Sequence, residues 1–380
     1  MANYPATRVI CAGLLLMVSL AAGELTARID DYLSVGLPPW SSTSYDGLFY
    51  TLGDGIRRGR PGARWKQVRM NNVGMRGPDL DLTRDDKCDR WLFLGASETF
   101  GEPGTPDSDF PSVVRRMAGE SSCVEVANSA SPGLNLRNSI EQYDAFGRLL
   151  APTVVFIYPP THFYLADQRP RRAVSAESRN RRPTEPPPSA PELAFVNSVT
   201  LALSRSRLVE RLLESAEVPG FVQRMRIDRW IEAELRKHPH DWAFSSIPAA
   251  ALDSLEGDLK DLAELVRSSG ARPVFITHAV RTTLPPEPPD IPMLRAMRRY
   301  VPRADGRIVA AFEYAAAQRM RELGARIGVD VVDVASSLSG QRELFIDLVH
   351  LSPEGNRRIA VEILKAMRTI PTPAKPDALQ

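Results

Sequence analysis

The sequence WLFLGASETFG, from Trp91 to Gly101, decides the fold prediction. Its first four residues are apolar, follow a charged segment and precede a glycine, which predicts a buried strand ending in a tight turn. Ser97 lies on that turn. In open α/β sheets, ligands bind at the carboxyl ends of the strands, and the helix expected next directs its amino terminus to the same crevice. Ser97 is therefore a candidate nucleophile, with helix capping as its alternative role.

From residue 88 onward, strand-like and helix-like patterns alternate. The predicted strands are Trp91 to Leu94, Val124 to Ala127, Val154 to Tyr158, Pro273 to Thr277 and Val329 to Val332. The predicted helices are Phe110 to Met117, Asn138 to Leu149, Leu252 to Ser268, Ile308 to Leu323 and Pro353 to Met367. This alternation predicts an α/β fold, with a parallel sheet covered by helices on both faces. The natural strand order is the flavodoxin-like 2-1-3-4-5.

A second candidate motif lies near the carboxyl end, in FIDLVHLSPEGN. Ser352 and Pro353 mark the start of a helix, so Asp347 and His350 lie on the loop that enters it. Three residues apart on a bent loop, the carboxylate can bond to imidazole Nδ1 and leave Nε2 free to accept a serine proton. Together with Ser97, the pair forms a possible Ser, His and Asp set.

These two stretches resemble the first and last sequence blocks of the SGNH/GDSL hydrolase superfamily. The opening Gly-Asp-Ser pattern is matched by Gly95 and Ser97, with Ala96 as a departure, and the closing Asp-x-x-His pattern by Asp347 and His350. The resemblance implies a three-layer α/β/α sandwich. It also implies that Ser97 is the nucleophile, His350 the general base and Asp347 the residue that orients it.

The resemblance also implies where the oxyanion donors lie. VANSASPGLN resembles the second block, which makes the backbone N–H of Gly133 a donor beside that of Ser97. The third block should read Gly-x-Asn-Asp, but the chain has VVFIYPPTHFY, with Thr161 or His162 in place of the asparagine. Loss of one donor costs about 2.7–4 kcal/mol of transition-state stabilisation. Activity is therefore expected to be weakened, unless Thr161 or His162 replaces the donor.

The expected function is that of an exported serine esterase. Its expected substrate is an O-acyl ester on a carbohydrate or an envelope polymer, or a small ester. Two alternatives stay open. One is an O-acyltransferase with the same triad, and the other is a non-catalytic envelope or glycan-binding protein on a degenerate SGNH scaffold. The formal net charge of +2 gives no electrostatic reason to expect nucleic-acid binding. The oligomeric state stays open.

The amino terminus predicts export. Residues 9–22 form an uncharged apolar run, shorter than the roughly 20 residues of a spanning helix, which predicts a secretory signal or a membrane anchor. A periplasmic or extracellular location follows. The predicted division is a signal or anchor at 1–23, an extension at 24–87, the hydrolase-like domain at 88–368 with a helical and proline-rich insertion at about 166–250, and a tail at 369–380.

Four further residues carry predictions. Cys88 and Cys123 each precede one of two neighbouring parallel strands, so we expect a disulfide between them, with two separate thiols as the alternative. Arg76, in a turn-like stretch, is expected at the surface, and His278 is expected to be a loop residue. No Cys/His cluster has metal-ligand spacing and no phosphate-binding loop occurs, which predicts a site without metal or cofactor.

Overall fold

The computed structural model centres on a five-stranded parallel sheet. The structure describes residues 5–35, 45–51, 57–82, 88–101, 108–119, 123–166, 206–208, 211, 220–239 and 241–369. The amino-terminal part contains helix α1 (Pro5–Val35) and two short hairpins, β1 (Phe49–Thr51) with β2 (Arg57–Gly59) and β3 (Arg64–Trp65) with β4 (Val68–Arg69). The sheet strands are β5 (Asp89–Gly95), β6 (Val124–Asn128), β7 (Val154–Tyr158), β8 (Arg272–Ile276) and β9 (Asp330–Val332).

The sheet confirms the predicted topology. Its order is β6-β5-β7-β8-β9, which is 2-1-3-4-5 when the five strands are numbered by themselves, and all its pairings are parallel. Because the strands are parallel, the loops that follow β5, β6, β7 and β8 meet at one edge, referred to as the carboxyl edge. The helices are α2 (Ser97–Phe100), α3 (Phe110–Ala118), α4 (Leu136–Ala145), α5 (Gly220–Leu235), α6 (Ala249–Ser268), α7 (Ile291–Met297), α8 (Gly306–Ile327), α9 (Val334–Leu338) and α10 (Pro353–Thr369).

Helices cover both faces of the sheet, as expected for an α/β/α sandwich. Successive side chains of a strand point to opposite faces. Trp91 and Phe93 accordingly lie in a buried cluster with α3 and α10, whereas Leu92 and Leu94 lie in another with α4, α6 and α8. The near-continuous apolar sequence of β5 is explained by this burial on both faces.

Helix α1 is longer than the apolar run that predicts it. It continues without a break through residue 23, and the 25-residue segment Val9–Leu33 contains an 18-residue window with a mean hydropathy of 2.0, which is apolar enough for a membrane span. The predicted run at residues 9–22 forms the uncharged part of this helix, and Glu24, Arg28, Asp30 and Asp31 follow it. None of its most apolar window is buried.

The end of α1 is tied to the insertion by polar contacts. Glu24 accepts hydrogen bonds from the hydroxyl of Ser206 at 2.7 Å and the backbone N–H of Leu208 at 3.0 Å, and Asp31 pairs with Arg207 at 3.1 Å. Helix α5 is the main described element of the insertion. The proline-rich part of the insertion lies outside the described residues.

The predicted disulfide between Cys88 and Cys123 is confirmed. The two Cα atoms are 4.8 Å apart because β5 and β6 pair in register from Asp89 and Val124, so the residues just before them are neighbours. The backbone N–H of Asp89 also donates to the Cys123 carbonyl at 2.9 Å. The disulfide therefore joins the starts of β5 and β6 at the edge of the sheet opposite the carboxyl edge.

Candidate active site

Ser97 lies at the carboxyl end of β5, as the first residue of α2. The helix has Ala96 at its N-cap and no side-chain capping bond, so the alternative role of Ser97 as a cap is not observed. Its hydroxyl donates to Glu98 Oε2 at 3.3 Å. The turn requires glycine at position 95, because an added Cβ would lie 2.1 Å from the Thr99 hydroxyl and 2.8 Å from the backbone oxygen of Tyr158.

Asp347 and His350 form the predicted pair. Asp347 Oδ2 lies 2.7 Å from His350 Nδ1, while Oδ1 accepts the backbone N–H groups of Val349 at 2.9 Å and His350 at 2.8 Å. Partial burial raises the pKa of Asp347, but these hydrogen bonds and the imidazole outweigh that effect and lower it. The carboxylate is therefore held ionised, and it fixes the orientation of the ring.

The Asp347–His350 loop belongs to the same edge of the sheet as Ser97. The backbone N–H of Arg281, in the segment after β8, donates to the Leu348 carbonyl at 2.9 Å. The charge of His350 also contributes to lowering the pKa of Glu98, the residue that accepts the Ser97 hydroxyl. Ser97 and the Asp347–His350 loop thus lie at one edge of the sheet.

Gly133 is an exposed residue of the loop after β6, at the same edge. It has a φ of 78°, and a Cβ at this position would meet nothing within 4 Å. The loop is anchored to the nucleophile turn, because Ser131 N–H donates to the Gly95 carbonyl at 3.3 Å and the Asn128 side chain donates to the Thr99 carbonyl at 2.9 Å. These bonds hold the second-block loop against the first block.

Thr161 and His162, the candidates for the missing asparagine, lie in a buried polar network with Glu313. The Thr161 hydroxyl donates to Glu313 Oε2, and His162 Nδ1 lies 3.5 Å from Glu313 Oε1. The hydrogen of the Thr161 hydroxyl is therefore engaged inside the protein. Both residues start the 3₁₀ turn Thr161–Leu165 that follows β7.

His278 completes this network. It lies on the loop after β8, as expected, but it is buried, with Nδ1 2.9 Å from Glu313 Oε2 and Nε2 3.6 Å from Glu98 Oε1. The sequence does not reveal these carboxylates, because they come from positions 180 residues before it and 35 residues after it. We call Glu98, Thr161, His162, His278 and Glu313 the buried cluster.

The charges in the buried cluster act strongly on one another. Burial lowers the pKa of His278, but Glu313 and Glu98 outweigh it and raise the pKa to about 10. Burial likewise raises the pKa of Glu98, but the histidines, led by a contact with His278, lower it to about 2. The pKa of Glu313 is also lowered, against its burial, by His278 and His162. The carboxylates therefore stay ionised in the interior.

Arg76 is buried, so its expected place at the surface was wrong. Its guanidinium pairs with the buried Asp109 at 3.2 Å and donates to the Phe100 carbonyl at 2.7 Å, at the end of α2. Its backbone N–H donates to Asn128 at 3.1 Å. The residue thus holds the end of α2, the start of α3 and the end of β6 together, and a turn-like sequence alone cannot reveal that.

No protein-family model matches the sequence, and no curated protein matches it either. Solved structures that match include proteins described as GDSL hydrolases, as the sequence resemblance predicts. A lipase/acylhydrolase from Enterococcus faecalis has 12% identity and a TM-score of 0.43, with 76% of this chain and 100% of that chain covered.

Two further matches are similar. A member of the lipolytic protein G-D-S-L family from Veillonella parvula has 10% identity and a TM-score of 0.40, covering 74% of this chain and 100% of its own. An acetyl xylan esterase has 11% identity and a TM-score of 0.40, covering 73% and 98%. Such likenesses concern the arrangement of the chain, so a functional conclusion has to come from the site itself.

Proposed function

We propose that this chain is an SGNH-type serine esterase, exported or held at a membrane, that hydrolyses O-acyl esters on a carbohydrate or cell-envelope polymer. The observation that carries the proposal is the hydrogen-bonded pair of Asp347 and His350. This pair lies at the edge of the sheet where Ser97 follows β5. Acyl transfer requires a serine beside an imidazole that a carboxylate orients. Here the serine lies on a strand-to-helix turn.

The proposed reaction has two halves. Ser97 Oγ attacks the acyl carbon while His350 Nε2 takes the hydroxyl proton, and the bond to the alcohol breaks as His350 returns that proton to the leaving oxygen. His350 then takes a proton from water as the water oxygen attacks the acyl carbon, the bond to Ser97 Oγ breaks, and His350 returns the proton to Oγ as the carboxylic acid leaves. Because the Ser97 hydroxyl bonds to Glu98 in the free protein, it has to turn towards His350 when substrate enters.

The proposed oxyanion donors are the backbone N–H groups of Ser97 and Gly133. The third-block asparagine is absent, and the Thr161 hydroxyl is engaged with Glu313. Since one missing donor lowers kcat by about 10²–10³-fold, we propose a slow esterase.

The proposed location and substrate class rest on two features of the chain. Helix α1 is apolar and long enough to be a signal or an anchor, and a disulfide is typical of oxidising compartments. O-Acyl groups on carbohydrates and envelope polymers are esters that an exported enzyme meets, so acetylated oligosaccharides are the first substrates to test.

The deciding experiment compares the full-length protein with Ser97→Ala. We expect a fluorophosphonate to label the wild type and p-nitrophenyl acetate to give a burst of product, and both signals to vanish in the variant. Ser268→Ala is the matched control. Ser268 is an exposed serine at the end of α6, just before β8 begins, and thus at the edge of the sheet away from the site.

The outcomes separate the remaining alternatives. Labelling that persists in Ser97→Ala, or is absent from folded wild type with every ester tried, would contradict an esterase and favour the non-catalytic binding protein. If Ser97 is labelled, product analysis with an acetylated donor and a free sugar acceptor separates hydrolysis from transfer, because a transferase yields a newly acylated sugar.

A further inference from the structure

We propose that Glu98, His162 and His278 bind a divalent transition-metal ion directly beneath the candidate nucleophile. One ligand atom from each residue can be chosen so that all three lie within 4.8 Å of one another, and all three side chains are buried. Two imidazoles and a carboxylate are donors that zinc and related ions prefer. The site is independent of the esterase proposal and departs from the expectation of a metal-free protein.

The first reason is the tautomer of His278. Ionised Glu313 can only accept a hydrogen bond, and its Oε2 lies 2.9 Å from His278 Nδ1, so Nδ1 carries the hydrogen. An ion-bound ring would be neutral and would present the Nε2 lone pair on the side that faces Glu98 Oε1. Among the described residues, no group forms a hydrogen bond to either of these two buried atoms. An ion between them would bind both atoms, in place of the second ring proton that His278 carries when it is charged.

The second reason is the spacing. His278 Nε2 and Glu98 Oε1 are 3.6 Å apart, too far for a hydrogen bond. Tetrahedral zinc with bonds of about 2.0–2.1 Å holds its ligand atoms roughly 3.3 Å apart, so a shift of a few tenths of an ångström would bring this pair to ligand spacing. The pair is therefore spaced for an ion that bridges the two atoms.

The third reason is the support around the ligands. Metal-binding histidines commonly donate their second ring nitrogen to a carboxylate, which sets the ring orientation. Glu313 does this for His278, because its Oε2 lies 2.9 Å from His278 Nδ1, and its other oxygen lies 3.5 Å from His162 Nδ1 without forming a hydrogen bond. Thr161, which donates to Glu313, fixes the carboxylate in turn.

The charges also fit a doubly charged ion. A divalent cation with two neutral imidazoles and the carboxylates of Glu98 and Glu313 has no net charge. A cavity of about 60 Å³ between α8 and α9 reaches His278 and Glu313.

The test is metal binding by the full-length protein. After equilibration with Zn²⁺ and removal of free ion, we expect about one zinc per chain by elemental analysis, and Co²⁺ should give the visible absorption of a tetrahedral site. Glu98→Gln and His162→Gln should each lower zinc affinity at least about 10-fold in competition with a chromophoric chelator. Glu313→Gln should lower it by about 10–100-fold, as loss of a supporting carboxylate does.

His350→Ala is the matched control, because it removes a histidine of the same crevice that is not a proposed ligand. It should keep the zinc content and lose esterase activity. Circular dichroism establishes that each variant is folded. Two independent near-isosteric variants keep the test valid if one of them fails to fold. Folded wild type that retains no zinc or cobalt, or variants that bind as well as wild type, would overturn the proposal and leave protonated histidines in the cluster. Fluorophosphonate labelling of Ser97 is scored separately, so failure of either proposal is recognised by itself.

Discussion

At the scale of single residues, a substitution of Asp347 tests the proposed role of the His350 imidazole as general base. We expect Asp347→Asn to lower kcat by up to about 10⁴-fold, because an amide cannot hold His350 in the required tautomer. The loop should survive, since the asparagine oxygen can still accept the N–H groups of Val349 and His350. Steady-state hydrolysis of p-nitrophenyl acetate measures the effect, and Asp305→Asn, at the N-cap of α8, is the control. Equal activity in both variants would remove Asp347 from the mechanism.

The same carboxylate predicts a dependence of stability on pH. The folded pKa of Asp347 lies below its unfolded value of about 3.9, so its contribution is present above that pH and disappears as pH falls through the folded pKa. The side chain is half exposed, so the contribution is small. Urea unfolding should show wild type more stable than Asp347→Asn at pH 7, with the difference narrowing towards pH 3. A constant difference would contradict this linkage.

At the scale of elements, the turn between β5 and α2 sets the position of Ser97. We expect Gly95→Ala to destabilise the protein by about 1–3 kcal/mol, because the new methyl group would collide with Thr99 and with the backbone of Tyr158. Gly257→Ala is the matched control. It lies inside α6 with open space around it and should stabilise the protein by about 0.5–1 kcal/mol. Urea denaturation measures the free energy of unfolding of both variants. Destabilisation of the same size in both would refute a steric collision at position 95 as the cause.

Helix α1 makes a prediction about location. We expect the full-length protein to stay with membranes after an alkaline wash, because residues 9–22 of α1 are uncharged and its large apolar side chains there are exposed. Leu15→Lys together with Val18→Lys should release it, since a lysine near the centre of a span costs about 2.5–3.5 kcal/mol. Leu33→Lys, at the end of the span, should not. Release of the wild type itself would show that α1 does not anchor the protein.

At the scale of the whole molecule, the sheet could be predicted and the buried cluster could not. Strand β7 was predicted with its observed bounds because Val154 to Tyr158 is a continuous apolar run, and parallel order follows from the alternation with helices. The cluster depends on contacts between residues far apart in the chain, such as His278 with Glu98, which no local pattern encodes. Strands of two or three residues, such as Arg64–Trp65, are likewise too short to show a period.

The disulfide makes the last prediction, which concerns the stability of the sandwich as a unit. Cys88 and Cys123 enclose a loop with a sequence separation of 35 that contains the nucleophile turn and α3. Replacing both by serine should lower the free energy of unfolding by about 3–4 kcal/mol, the value expected from the lost constraint on the unfolded chain. Cys11→Ser, which removes the free cysteine of α1, should leave stability unchanged. Urea denaturation without reductant measures both variants. Ser97 lies inside the closed loop, so reduction of the wild type should lower fluorophosphonate labelling in step with unfolding. Labelling that falls before the protein unfolds would show that the disulfide also holds the site in place.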